Sequence, residues 1–112
     1  EIDFVKNKPV EEFIMGIAIN RIDGILIYGT NTKIDGIKFK HSSNKGKLVV
    51  WLKDVRLMQG EYFFDFAFED LDSKPLDYYR EAAFFNVYNR LSEAGLCGFE
   101  HQWILDGEKF EI

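Results

Sequence analysis

The sequence has few of the residues that stabilise small secreted domains or hold metals. Its 112 residues include one cysteine, Cys97, and two histidines, His41 and His101. A single cysteine excludes an internal disulfide framework and favours a reducing compartment, so we expect the cytoplasm. Because the histidines are isolated and Cys97 has no second cysteine at metal-ligand spacing, we expect neither a metal site nor a catalytic role for these side chains.

Long apolar runs and nucleotide-binding motifs are also missing. No run is long enough to span a bilayer, and no apolar signal segment is present. Because the chain begins with Glu1, we expect a fragment of a longer protein. The stretch "NKGK" lacks the first glycine of a phosphate-binding loop, which excludes nucleotide hydrolysis by this piece. We therefore expect no catalytic residues and no cofactor.

Positive charge is scarce in the second half of the chain. Residues 1–52 hold 8 basic and 6 acidic side chains, whereas residues 53–112 hold 6 basic and 13 acidic ones, giving a net charge of -5. Nucleic acid is therefore a poor partner. The lysines between Lys33 and Lys47 could meet an anion, although lysines in loops and at strand edges usually serve solubility or block edge pairing.

Strand patterns dominate the sequence, and no sustained helical periodicity appears. Asp23-Gly24 lies between two apolar runs and predicts a hairpin over residues 13–28 with a type I′ turn. Seven or eight short strands predict one all-β domain over residues 1–112, an immunoglobulin-like antiparallel β-sandwich. The remaining assignments are strands at 1–5, 48–53, 60–69 and 83–89, a loop at 70–82 containing Pro75, a helical turn at 90–95 and a last extended segment at 96–105.

An acidic loop is the one candidate for metal binding. The carboxylates that could supply oxygen ligands for calcium are Glu69, Asp70, Asp72 and Asp77. The loop lacks the glycine and the full spacing of an EF-hand, and acidic turns are commonly just solvated. Paired carboxylates for glycoside hydrolysis are conceivable, but nothing fixes two of them across a cleft. We predict no metal site.

The strand "GEYFFDFAFED" at residues 60–70 presents aromatic residues on both faces. Alternation places the large stripe of Tyr62, Phe64, Phe66 and Phe68 in the core. Phe63 and Asp65 then lie on the opposite face. In "LVVWLK", the same reasoning turns Trp51 outward on the other sheet.

Side chains of the neighbouring strands that lie on the same outward face complete a candidate site. If residues 13–20, 61–69 and 83–89 share one sheet, Gly16 and Ala18 form a floor. Aromatic rings stack on the C–H faces of sugars, and carboxylate and amide groups bond their hydroxyls. Alternatively, another segment or a partner subunit covers this face. The predicted ligand-binding residues are Phe63, Asp65, Phe84, Asn86, Tyr88, Gly16 and Ala18.

The order of three segments resembles a known family. "KPVEEFIMGIAINRIDGILIYGTNT", "VRLMQGEYFFDFAF" and "AAFFNVYNRLSEAGLCGFEHQW" are similar to the C-terminal carbohydrate-binding domain of the ATP-binding subunit, Wzt type, of polysaccharide ABC transporters. The most specific parts are Gly29 to Thr32, Leu57 to Tyr62, Gly95 and Trp103. The resemblance covers nearly the whole chain.

The resemblance implies a non-enzymatic reader of lipid-linked O-antigen that acts in the cytoplasm before export. The ATPase and the membrane subunit would be its partners, at the inner membrane. It also implies a homodimer that exchanges a C-terminal strand, here residues 96–105. Two alternatives stay open: an immunoglobulin-like protein-interaction or dimerisation domain, and an accessory sugar-binding module of a secreted glycosidase.

Overall fold

The chain folds into antiparallel β-structure. The computed structural model describes residues 1–88 and 94–110, and every regular element in these ranges is a strand. The predicted helical turn at 90–95 falls mainly outside the described residues. The strands are β1 (Ile2–Val5), β2 (Glu12–Arg21), β3 (Leu26–Asn31), β4 (Phe39–Lys40), β5 (Lys45–Leu48), β6 (Gly60–Glu69), β7 (Pro75–Val87), β8 (Trp103–Leu105) and β9 (Glu108–Phe110).

The main sheet brings together the strands that were expected to share it. Its order is β3-β2-β6-β7, and β4 pairs with the start of β2. In the register, Ile17 lies opposite Phe66 and Phe63 lies opposite Phe84. Residues directly opposite each other point to the same face of an antiparallel sheet. The strand patterns therefore predicted the facing of β2, β6 and the end of β7 correctly, and the structure confirms the sheet that these strands were assumed to share.

The inner face of this sheet holds most of the core. Tyr62 is only 2% exposed, and its hydroxyl donates to the carbonyl oxygen of Met58 at 2.6 Å. A second, two-stranded sheet of β1 and β5 packs on this face through Phe4, whose ring centroid lies 5.8 Å from that of Phe13 and 6.1 Å from that of Phe68. These two layers confirm the predicted β-sandwich. The other buried apolar residues of β2 on this face are Met15, Ile17 and Ile19.

Two assignments were wrong. The strand predicted at residues 48–53 is absent, because β5 ends at Leu48 and no described strand pairs with the residues after it. Trp51 is 77% exposed there, outside any strand. The loop predicted at 70–82 is confirmed for residues 70–74 but wrong for 75–82, since β7 starts at Pro75. Proline is tolerated as the first residue of an edge strand, and β7 ends the sheet order.

The hairpin between β2 and β3 is confirmed, but its turn differs from the prediction. Gly24 has φ of 92°, whereas Asp23 does not adopt positive φ, so the turn is not type I′. The Arg21 N–H donates to the Ile25 carbonyl at 2.9 Å, which closes a three-residue connection with a left-handed glycine. A bidentate hydrogen bond from the Arg21 guanidinium lowers the pKa of Asp23 and raises that of Arg21.

A second Asp-Gly pair forms the type I′ turn that was expected at the first. Asp106 and Gly107 have φ of 46° and 81° and join β8 to β9, with Leu105 opposite Glu108. Sequence reasoning ended the chain on an extended segment and missed this hairpin. Among the described strands, β8 and β9 contact only each other. The molecule is correspondingly elongated, with a long axis of 64 Å.

Candidate ligand-binding face

The main sheet has a concave region on the face opposite the core, here called the outer face. The register places Gly16 opposite Ala67 and Ala18 opposite Asp65, so small side chains occupy the middle of this face. Above them lies a central cleft of about 240 Å³. The lining residues are Ile14, Gly16, Ile17, Ala18, Gly29, Thr30, Asn31, Ile34, Asp65, Phe66, Ala67, Glu69 and Tyr78.

Gly16 sets the depth of the cleft. A β-carbon built on Gly16 would lie 3.7 Å from the β-carbon of Asn31 and 3.8 Å from that of Ala67, which is ordinary van der Waals contact. The glycine is therefore required neither by its backbone conformation nor by a close approach. Its effect is to leave open the space that a larger side chain would fill.

Three groups at the rim can bind a polar ligand. Tyr78 lies opposite Ala67 on β7 and is 55% exposed. Asn31 uses its Oδ1 to accept the Ile34 N–H at 2.7 Å, and its Nδ2 donates to no described residue. Glu69 is half-buried opposite Ile14. The rim thus offers an aromatic ring, an amide donor and a carboxylate acceptor around an apolar floor.

Asp65 lines the cleft but is engaged by the protein. It is 9% exposed, its Oδ2 accepts from Asn20 Nδ2 at 3.0 Å, and its Oδ1 accepts from the Glu81 N–H at 2.8 Å. Glu81 has a positive φ of 52° within a bulge of β7, where the register shifts between Phe64 and Phe66. Asp65 therefore holds the bulge in place, and because it is buried with a protein donor on each oxygen, it is poorly accessible to a ligand.

The predicted aromatic residues lie at the other end of the outer face. Phe63 is only 9% exposed, because its ring packs against Phe84 with centroids 5.7 Å apart. Phe84 is 59% exposed and Tyr88 is 84% exposed, and Asn86 is exposed beside them. The structure therefore places Gly16, Ala18 and Asp65 in the cleft and separates Phe63, Phe84, Asn86 and Tyr88 from it.

Tyr78, Asn31 and Glu69 were missing from the predicted site. The loop assigned to residues 70–82 concealed Tyr78, although adjacent tyrosines at 78 and 79 are typical of strands. Asn31 could have been found by extending the alternation of its strand to the final residue, since it is the last residue of β3. Glu69 ends the strand predicted at 60–69 on the outward face, but it was counted with the acidic loop and not with the site.

The acidic loop is a hydrogen-bonded turn. Asp70 Oδ1 accepts the N–H groups of Asp72 and Lys74, both at 2.9 Å. Across residues 1–88 and 94–110, no three His, Cys, Asp or Glu side chains lie close enough together to hold a metal ion. The same ranges contain no helix that is long and apolar enough to cross a membrane.

The fold and the cleft define an all-β sandwich domain, and the same fold is found in a solved structure described as "Crystal structure of the C-terminal domain of wzt". The two chains are 22% identical with a TM-score of 0.61, and the match covers 94% of this chain and 64% of the other. The Wzt C-terminal domain family matches residues 1–99. The chain belongs to this family of non-catalytic domains. No curated protein matches it.

Proposed function

We propose that this domain binds the terminal region of a lipid-linked O-antigen polysaccharide and so provides substrate recognition for an ABC transporter. Membership of the Wzt C-terminal domain family supports a role in polysaccharide transport of this kind. The central cleft carries the proposal, because its floor is apolar and its rim holds Tyr78, Asn31 and Glu69. In this proposal the ATPase lies in another domain, and the protein works in the cytoplasm at the inner membrane.

The cleft matches the chemistry of a sugar ring. One face of a pyranose is lined by C–H groups, which pack on tyrosine rings and on small apolar side chains. Its hydroxyl groups both donate and accept, so they can bond the Glu69 carboxylate and the Asn31 amide. The space of about 240 Å³ is smaller than the pockets of drug-sized ligands, roughly 300–1,000 Å³. It therefore suits a single terminal ring, and affinity will be modest.

The predicted site residues take different parts in this proposal. Gly16 and Ala18 form the floor, and Asp65 positions β7 beside it. Phe84, Asn86 and Tyr88 form an exposed surface where further sugar units of the same polymer can lie. The buried ring of Phe63 packs against the exposed ring of Phe84 and holds it in position.

The two neighbouring tyrosines provide a matched test of the cleft. Tyr78 and Tyr79 are both 55% exposed, but they lie opposite Ala67 and Phe66 and therefore face opposite sides of the sheet. We expect Tyr78→Ala to weaken binding of the O-polysaccharide of the protein's own source by roughly tenfold, since an aromatic stacking contact is lost. Tyr79→Ala should leave the affinity unchanged. Calorimetric titration measures both.

An unrelated polysaccharide serves as the ligand control in that titration. Phe63→Ala is a poor alternative variant, because removing a buried ring destabilises the fold by about 3–5 kcal/mol whatever the ligand. Equal affinities of the Tyr78→Ala and Tyr79→Ala proteins would place the ligand outside the cleft. If the folded wild-type protein shows no binding to the polysaccharide of its own source, the proposed recognition of a glycan is refuted.

A homodimer that exchanges the C-terminal segment is also proposed, and the exposed hairpin favours it. Trp103, Ile104 and Leu105 of β8 are 67%, 58% and 65% exposed. The radius of gyration is 18.6 Å, compared with about 13 Å for a compact domain of ~100 residues. On the inner face of the main sheet, an open groove of about 700 Å³ is lined by Phe66, Phe68 and Tyr79 among others. A second copy's hairpin has the apolar surface needed to cover such a groove.

Charge placed in the hairpin tests the dimer. We expect Leu105→Asp to convert the dimer to a monomer, because a carboxylate would be buried unpaired at the interface on the face that also carries Trp103. Lys109→Asp is the matched control, since Lys109 lies opposite Ile104 and therefore on the other face of the hairpin, and it is already a charged, exposed residue. Light scattering after size-exclusion chromatography gives the masses. A wild-type monomer at all concentrations would refute the exchange.

A further inference from the structure

We propose that the central cleft accepts a neutral or amino sugar and rejects one that carries phosphate or carboxylate, with Glu69 as the specificity-determining residue. This inference rests on the proposed glycan-binding function and adds the chemical class of the sugar. It follows from the charges that line the cleft and from the partners that those charges have.

The cleft has acidic side chains and no basic ones. Asp65 and Glu69 are its charged lining residues within the described part of the chain, and no lysine or arginine of that part joins them. Proteins that recognise phosphate or carboxylate groups usually present arginine, lysine or a set of backbone N–H groups. An anionic sugar would find none of these cationic side chains along the walls described above.

The two carboxylates are not equivalent. Asp65 is compensated by the hydrogen bonds from Asn20 and from the Glu81 backbone. Glu69 forms no ion pair and accepts no hydrogen bond from a described side chain or turn, although it is half-buried. Its negative charge is therefore the one that a ligand in the cleft would meet.

The position of Glu69 at an apolar cleft makes its charge effective. A partly buried carboxylate is screened less by water and salt than an exposed one, so it repels an anion at close range. The same oxygen atoms accept hydrogen bonds from neutral hydroxyl groups and attract an ammonium group. One side chain can thus produce selectivity, because Glu69 stabilises bound neutral and amino sugars and destabilises bound anionic ones.

A panel of small sugars tests the inference directly. The probes are glucose, galactose and mannose, each as its methyl glycoside, its 2-amino sugar and its 6-phosphate, titrated at millimolar concentration into the ¹⁵N-labelled chain. We expect the amide signals of residues 14–18 and 65–69 to shift with neutral and amino sugars. The 6-phosphates should bind at least tenfold more weakly. In Glu69→Gln this difference should shrink to within about twofold, with Glu61→Gln, an exposed carboxylate of the same strand and face, as the control.

The possible results separate the inference from the proposed function. Equal binding of neutral and phosphorylated sugars, or selectivity that survives in Glu69→Gln, would overturn the charge selection while glycan binding stands. If no sugar shifts the cleft signals, both the selection and the assignment of the cleft as a sugar site are overturned. Selectivity that decreases in the wild type on raising the salt to 1 M would support its electrostatic origin.

Discussion

Asp65→Ala will lower the free energy of unfolding by about 3 kcal/mol, a large loss of stability for the truncation of one polar side chain. The substitution removes the acceptor for the buried Asn20 Nδ2 and for the Glu81 N–H, whose hydrogen bond to Asp65 is partly buried. It also frees the bulge of β7, where Glu81 holds a positive φ of 52°. Thermal unfolding should show a midpoint that falls by roughly 10–20 °C.

Two further variants isolate the cause of that loss. Glu61→Ala removes an exposed carboxylate from the same face of β6 and should change stability by less than about 0.5 kcal/mol. Asp65→Asn keeps an acceptor for the Glu81 N–H, so it should lie between the alanine variant and the wild type. If Asp65→Ala and Glu61→Ala unfold alike, the hydrogen bonds of Asp65 are not what maintains the bulge.

Gly16→Val will weaken glycan binding while leaving the fold intact. The first added carbon lies at ordinary contact distance from its neighbours, and the remaining two methyl groups occupy the floor of the cleft. Valine is favoured in strands and glycine is not, so stability should stay equal or rise. Affinity for the polysaccharide should fall at least ~10-fold, which corresponds to about 1.4 kcal/mol. Calorimetric titration and thermal unfolding of the same sample measure the two effects.

Gly16→Ala is the graded control for that substitution. A single methyl group leaves most of the cleft open, so its affinity should lie between those of the wild type and the valine variant. An unchanged affinity in Gly16→Val, with the protein folded, would show that the polymer binds elsewhere on the domain. The exposed surface around Phe84 would then be the first place to examine.

The sheet could be predicted where alternation is long and uninterrupted. β2 and β6 each carry a large apolar residue at every second position, so their facing followed from periodicity, whereas their place in one sheet was assumed from the sandwich fold. The same rule placed Gly16 and Ala18 on one face with Phe63 and Asp65, as the register shows. Period-two alternation is a local property, and local properties are what a single sequence displays.

The site was harder to predict because its limits depend on contacts between distant segments. Phe63 is on the predicted face, yet the neighbouring strand supplies Phe84 to cover it. Asp65 was assigned to a ligand, but a backbone N–H sixteen residues later takes up one of its oxygens. Tyr78 was hidden because Pro75 argued against a strand, although an edge position tolerates proline. None of these outcomes is visible from the spacing of residues within one segment.

The bulge at Glu81 also bears on how the protein avoids aggregation. β7 is the end of the path through the main sheet, and its 13 residues would form a long template for unwanted strand addition if they were regular. Pro75 lacks an N–H at one end, and the extra residues opposite Asp65 interrupt the ladder in the middle. A foreign strand could therefore align with only a short part of this edge at a time. Asp65, which lines the cleft and holds the bulge in place, thus also protects the sheet from fibril-like growth.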